Sequence, residues 1–162
     1  MSASLRQRLG LPAWHPAIVV GTWFWSGLLP VTPGTWGSLA ALPFAWEIEG
    51  RWGAGGLVLG AAMVFAVGYW AASVIVAASG VDDPGAIVVD EVAAQWLVLA
   101  VAPRSVAIYA VAFFLFRVTD ILKPWPASWA DRKLPGALGV MLDDILSAFY
   151  AAVLVAIVGV LL

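Results

Sequence analysis

The sequence predicts an all-α integral membrane protein: a compact bundle of about four to five transmembrane helices, preceded by an interfacial or re-entrant N-terminal segment. Three observations predict it. The 162 residues are 63% hydrophobic and only 11% charged, whereas about 25% of a soluble domain is charged. Mean hydropathy is +0.97. Two charge-free runs, Gly56–Val81 and Ile145–Leu162, match the roughly 20 residues a helix needs to cross a bilayer. The length suits one membrane-embedded domain, residues 1–162.

The elements follow in order. "MSASLRQRLGLPAWHP" holds two arginines but is interrupted by Pro12 and Pro16, so no removable signal peptide is expected. From Leu9 to Trp46 there is no Asp, Glu, Lys or Arg, yet Pro12, Pro16, Pro30, Pro33 and Pro43 preclude one continuous helix. This stretch reads as an interfacial segment around Ala17–Leu29, a re-entrant or loop piece at "LLPVTPGT", and a helix from about Gly34 to Ile48. Gly56–Val81 is the clearest span. Ala86–Pro103 and Arg104–Leu122 are weaker candidates with charges near one end, and the last span begins near Ile145.

Threading these segments back and forth across a bilayer collects Asp82, Asp83, Asp90, Glu91, Asp120, Lys123, Asp131, Arg132, Lys133, Asp143 and Asp144 on one side. Glu47, Glu49, Arg51 and Arg104 fall on the other. The first side also holds most of the Lys and Arg, so the positive-inside rule makes it cytoplasmic. With no cysteine, disulfides, thiolate metal sites and cysteine nucleophiles are excluded. A net charge of −2 gives no reason to expect a nucleic-acid partner.

Two acidic pairs interrupt apolar sequence: Asp90–Glu91 in "IVVDEVAAQWLVL" and Asp143–Asp144 in "GVMLDDILSAFYA". Four ionised acids at mid-membrane would cost on the order of 10 kcal/mol, so both pairs are expected just inside the cytoplasmic interface. Asp90 lies four residues beyond Ala86 and Asp143 four beyond Gly139, about 6 Å along a helix in each case, so the pairs can meet at one level. A single acid near a helix start is ordinarily explained by the helix dipole. Two pairs on separate helices point instead to a metal or proton site. Oxygen ligands, no cysteine and one histidine favour a hard divalent cation, Mg²⁺.

In "FRVTDILKPWP", Arg117, Asp120 and Lys123 recur every third residue and share a face. An interfacial salt-bridged stripe accounts for the spacing, but beside the acids the two cations also suit a phosphate clamp. In "PVTPGTWGS" a helix start offers N–H groups and hydroxyls to an anion; a capped proline-glycine loop explains the same residues. His15 reads as structural or interfacial. The ten tryptophans read as interface anchors.

Taken together, "GLLPVTPGTWGSLAALP", "DDPGAIVVDEVAAQ" and "FRVTDILKPWP…DRKLPGALGVMLDDILSAFYA" resemble the phosphatidylglycerophosphatase A family over roughly residues 20–152. The resemblance implies a Mg²⁺-dependent lipid phosphatase of the bacterial cytoplasmic (inner) membrane that converts phosphatidylglycerophosphate to phosphatidylglycerol, with the phospholipid and the bilayer as its partners. Matching positions are Thr35, Gly37 and Ser38; Asp83, Gly85, Asp90, Glu91 and Gln95; and Arg117, Asp120, Lys123, Pro124, Asp131, Gly139, Asp143 and Asp144. On this pattern Asp83, Asp90, Glu91, Asp120, Asp143 and Asp144 are the expected catalytic acids. Asp90, Glu91, Asp143 and Asp144 are the expected metal ligands. Thr35, Gly37, Ser38, Arg117 and Lys123 are expected to bind the phosphate. Either a metal-polarised water or a carboxylate would attack phosphorus. The chain departs from the family's pattern at Ala94 and Ser147, where glycine is common, and at Thr119, where an apolar or aromatic residue is common.

Two other classes compete on the residues alone. A cation transporter would spread acids through the membrane depth, but "QWLVLAVAP" and "AAVLVAIVGVLL" carry no ionisable side chain. A non-catalytic assembly subunit would not require the acids. The oligomeric state is left open.

Overall fold

The computed structural model describes residues 9–161, and among these it contains six α-helices and no strand. Helix α1 (Pro16–Gly21) is capped by His15, whose Nδ1 accepts the Ala17 N–H at 3.2 Å, the structural role expected of it. The chain then passes through Trp23, Phe24 and Trp25, all with positive φ, into a 3₁₀ turn at Ser26–Leu28. The expected interfacial segment is thus a short helix and a tight turn. It braces the segment before the acids: the Val88 N–H donates to the Gly21 carbonyl at 2.8 Å.

Helix α2 (Pro33–Ser79) carries helical hydrogen bonding over 47 residues but breaks at Gly53, whose φ of 64° and ψ of −166° lie in a region open essentially to glycine. The chain reverses there. A Cβ on Gly60 would touch both Trp96 and Ile48, at 3.0 and 3.8 Å, although 48 and 60 would stand about 18 Å apart in a straight helix. The two expected helices therefore exist as antiparallel limbs, 33–52 and 54–79, joined at one residue within "EIEGRWG".

Helix α3 (Val89–Leu99) is shorter than the expected span Ala86–Pro103. Its 11 residues cover about 16 Å, half of a bilayer's hydrocarbon core. It is also the most enclosed element: Val92, Ala93, Ala94, Gln95, Val98 and Leu99 are completely buried, because both limbs of α2, α4 (Val106–Leu122) and α6 (Gly136–Leu161) pack around it. The Trp96 indole N–H donates to the Ala41 carbonyl at 3.0 Å. Ala41, Ala45, Ala61, Ala112, Ala148 and Ala151 line the shared core, where small side chains let helix backbones approach.

The "ASWADRK" stretch forms the short helix α5 (Ala127–Lys133). Helix α6 starts at Gly136 rather than near Ile145, so Asp144 stands eight residues, about 12 Å, inside it. Of the four to five spans expected, two helices, Pro33–Ser79 and Gly136–Val160, are long and apolar enough to cross a membrane. Charged groups gather at the two ends. At one end Tyr109 donates to Glu49, and the Arg104 guanidinium lies 4.3 Å from the centre of the Trp46 ring. The other end holds the acids.

Candidate functional site

Asp90 and Glu91 occupy the first turn of α3, where the helix dipole favours negative charge. Asp144 approaches from α6. One carboxylate oxygen from each of the three lies within 4.8 Å of the others. Asp90 and Asp144 are only 6% and 4% exposed, and Oδ1 of Asp90, Oε2 of Glu91 and Oδ2 of Asp144 have no hydrogen-bond partner. Asp120 of α4 adjoins Asp144.

Magnitudes decide what this cluster needs. Two unit charges 4.8 Å apart repel by about 3 kcal/mol at an effective dielectric of ~20. The dipole offers about 0.3–1 kcal/mol, within the first turn only. Asp144 lies two turns into α6, so the dipole account that suffices for an isolated acid fails here.

One guanidinium reaches two of these four carboxylates. Arg117 Nη1 lies 2.9 Å from Asp120 Oδ2 and 3.8 Å from Glu91 Oε1, and it donates to Ser38 Oγ at 3.2 Å. Ser38 is fully buried and donates onward to the Gly34 carbonyl at 3.0 Å. The start of α2 therefore joins the site through the Ser38 hydroxyl. A Cβ on Gly37 would lie 2.6 Å from Val88 Cβ, so glycine there lets α2 pack on the entry to α3. Thr35 is half-buried on the first turn of α2, with its N–H donating to the Thr32 carbonyl at 3.0 Å.

Lys123 leaves the stripe shared by Arg117 and Asp120. It ends α4 in a left-handed conformation, φ 43°, and donates to both Asp131 of α5 and Asp143 of α6. Burial works against its charge, but the two carboxylates outweigh this and hold its pKa above the ordinary lysine value. Asp143 consequently stands apart from Asp90, Glu91 and Asp144, turned to the lysine, with its Oδ1 unpartnered. Outside this ion pair lies a cavity of about 310 Å³, lined by Asp82, Asp83, Asp131, Arg132, Lys133 and Asp143 among others. Asp83 is exposed at its rim, near Lys123 and Asp131.

The family pattern described as Phosphatidylglycerophosphatase A matches residues 19–159. The chain belongs to the phosphatidylglycerophosphatase A family. It is similar to the Phosphatidylglycerophosphatase A of Escherichia coli K12, 36% identical over 160 residues, 97% of this chain and 89% of that one. It is likewise similar to that of Haemophilus influenzae Rd, 38% identical over 142 residues, 87% of each chain. A Bacteroides thetaiotaomicron protein, 35% identical over 159 residues, 90% of this chain and 94% of that one, carries a provisional name as a phosphatidylinositol-3-phosphatase. No solved structure matches.

In this phosphatidylglycerophosphatase A homologue, the donor set fits a hard divalent cation. Two buried carboxylates, Asp90 and Asp144, and the half-buried Glu91 converge, each with an unpartnered oxygen, and oxygen-only ligation with residual hydration is what Mg²⁺ takes. The sequence places Gly34 at an anion-binding helix start but not against Glu91, and it gives Asp131 no role of its own. Gly34 is needed because Glu91 presses against α2, and only the packing reveals that. Asp131 had a signal, an acid between Lys123 and the second acidic pair, but its partner depends on where α4 ends.

Proposed function

We propose that the chain hydrolyses the terminal phosphomonoester of phosphatidylglycerophosphate to give phosphatidylglycerol, as a single multi-pass domain of the bacterial inner membrane with its site at the cytoplasmic interface. One observation carries the reading: buried, unpartnered carboxylate oxygens of Asp90, Glu91 and Asp144 sit beside Arg117 and Lys123 at one end of an apolar bundle. Family membership supports the reaction class. The outward surface supports a bilayer setting, with Leu59, Met63, Phe114, Ile121, Phe149 and Ile157 all more than half exposed, since a contiguous apolar exterior is unstable against water.

Asp90, Glu91 and Asp144 would hold Mg²⁺, with Asp120 beside them. When bound, the cation supplies neutralisation of phosphoryl oxygen charge and activation of a nucleophile. Arg117, anchored by Ser38, is positioned to exchange Glu91 for a phosphate oxygen while keeping Asp120. Lys123 is held toward the same end by Asp131 and Asp143, and meets the phosphate from the side of the cavity. Water, either directly or after a carboxylate has first taken the phosphoryl group, forms the new P–O bond; the bond to the glycerol oxygen breaks in line, that oxygen takes up the proton the water loses, and inorganic phosphate is released. Acyl chains stay among the exposed apolar helix faces, so the lipid need not leave the bilayer.

Phosphate release should be compared for phosphatidylglycerophosphate, phosphatidic acid, phosphatidylinositol 3-phosphate and soluble glycerol phosphate in mixed micelles. The reading expects phosphatidylglycerophosphate to be turned over fastest and the soluble ester slowest. Equal rates for all four would overturn it.

A further inference from the structure

Gln95 is fully buried, and neither its Nε2 nor its Oε1 has a partner. Ser147 is also fully buried, with its Oγ unpartnered. Both lie one helical turn deeper than the carboxylates: Gln95 is four residues beyond Glu91 on α3, and Ser147 three beyond Asp144 on α6. Residues at those spacings share a helix face, and α3 and α6 run in the same direction away from the acids. The acidic cluster therefore has a polar floor where apolar packing prevails: Val92, Val98 and Leu99 surround Gln95 along α3, and Ala148 and Ala151 follow Ser147. An unpaired buried amide is destabilising, and such groups call for an occupant that protein atoms do not supply.

We propose that Gln95, assisted by Ser147, is a positioning residue for the cation held by Asp90, Glu91 and Asp144, offering its amide N–H₂ to the carboxylate oxygens and its carbonyl to the cation's water shell. Mg²⁺ retains several waters when bound, and those waters need hydrogen-bond partners among the polar side chains around the carboxylates. Ligand-orienting partners of this kind typically govern affinity by about 10–100-fold. The inference rests on the metal reading above.

The test uses the full chain in detergent or nanodiscs, with Mn²⁺ binding followed by electron paramagnetic resonance and melting temperature measured in metal-free buffer. Gln95→Met keeps the length and removes the unpaired amide. It should melt no lower than the unmodified protein yet bind Mn²⁺ at least about tenfold more weakly. Gln95→Glu restores an oxygen at that position and should recover most of the loss. Ser147→Ala should weaken binding in the same direction. If the unmodified chain binds Mn²⁺ and Gln95→Met binds it equally well, the positioning role is overturned while the metal site stands. If the unmodified chain binds no Mn²⁺, the metal reading itself falls, and this inference with it.

Discussion

A methyl group on Gly34 would lie 1.9 Å from Oε1 of Glu91. The first turn of α2 is therefore in direct contact with a carboxylate of the acidic cluster, and the same imagined methyl would stand 3.2 Å from Arg117 Nη2. The glycine of "TPGT" lets Glu91 lie between α2 and the guanidinium.

Gly34→Ala should accordingly damage the site. Glu91 is not the loose end of a surface side chain: it is buried on the far side by Asp90 and Arg117, so relief requires moving α2 or displacing the carboxylate. Overpacking of this kind costs about 1–3 kcal/mol. A lowered melting temperature together with a loss of phosphate release is expected. A variant with unchanged melting and turnover would contradict the contact.

Lys123→Met should leave Asp143 buried without its cation. Breaking one partner of such a pair is more costly than losing an exposed one, with some discount because Lys123 is partly exposed. The sign of the pH dependence follows from the raised lysine pKa. Its contribution is fully present below the unfolded value of 10.5 and is lost as pH climbs through the higher folded value. The melting difference between the unmodified protein and Lys123→Met should be present at about pH 9 and shrink in stronger base. A difference that vanishes before strong base is reached would show that another group carries it.

Much of the site could be read from sequence because its signal is contrast. An ionised side chain in an apolar run is costly enough to need a reason, which singles out Asp90, Glu91, Asp143 and Asp144 without any structure. The division of labour between Asp143 and Asp144 could not be read. Adjacent residues on a helix point about 100° apart, so one acid faces α3 and the other faces Lys123, and which does which depends on how α6 is rotated. Helix lengths were legible only where hydropathy set them. α3 is short because it is enclosed by other helices, and burial by protein leaves the same apolar pattern as burial by lipid. The reversal at Gly53 had its marker in "EGRWG", whereas nothing local distinguishes a one-residue turn from a loop.

The two charged ends should lie on opposite sides of the membrane. The sequence has no cysteine, so Ser128→Cys near the acids and Ser105→Cys near Arg104 give single labelling sites. In intact cells an impermeant thiol reagent should modify the Ser105 variant and spare the Ser128 variant until the membrane is opened. Labelling of the Ser128 variant from outside alone would reverse the proposed orientation.

The central claim is that buried carboxylates hold a divalent cation that drives phosphate release, and Asp90→Asn with Asp144→Asn tests it most directly. Asn preserves size and removes the charge that offsets the metal. If these acids only decorated helix ends, the loss would be at most about 1 kcal/mol of stability, with turnover intact. The measurement is Mg²⁺-dependent phosphate release from phosphatidylglycerophosphate by each purified variant, beside its melting temperature in metal-free buffer. The account predicts Mg²⁺-dependent release by the unmodified protein, a fall of at least ~10²-fold in each variant, and melting temperatures equal or higher because like-charge repulsion is relieved. Release that ignores Mg²⁺, or near-normal turnover in both variants, would contradict it.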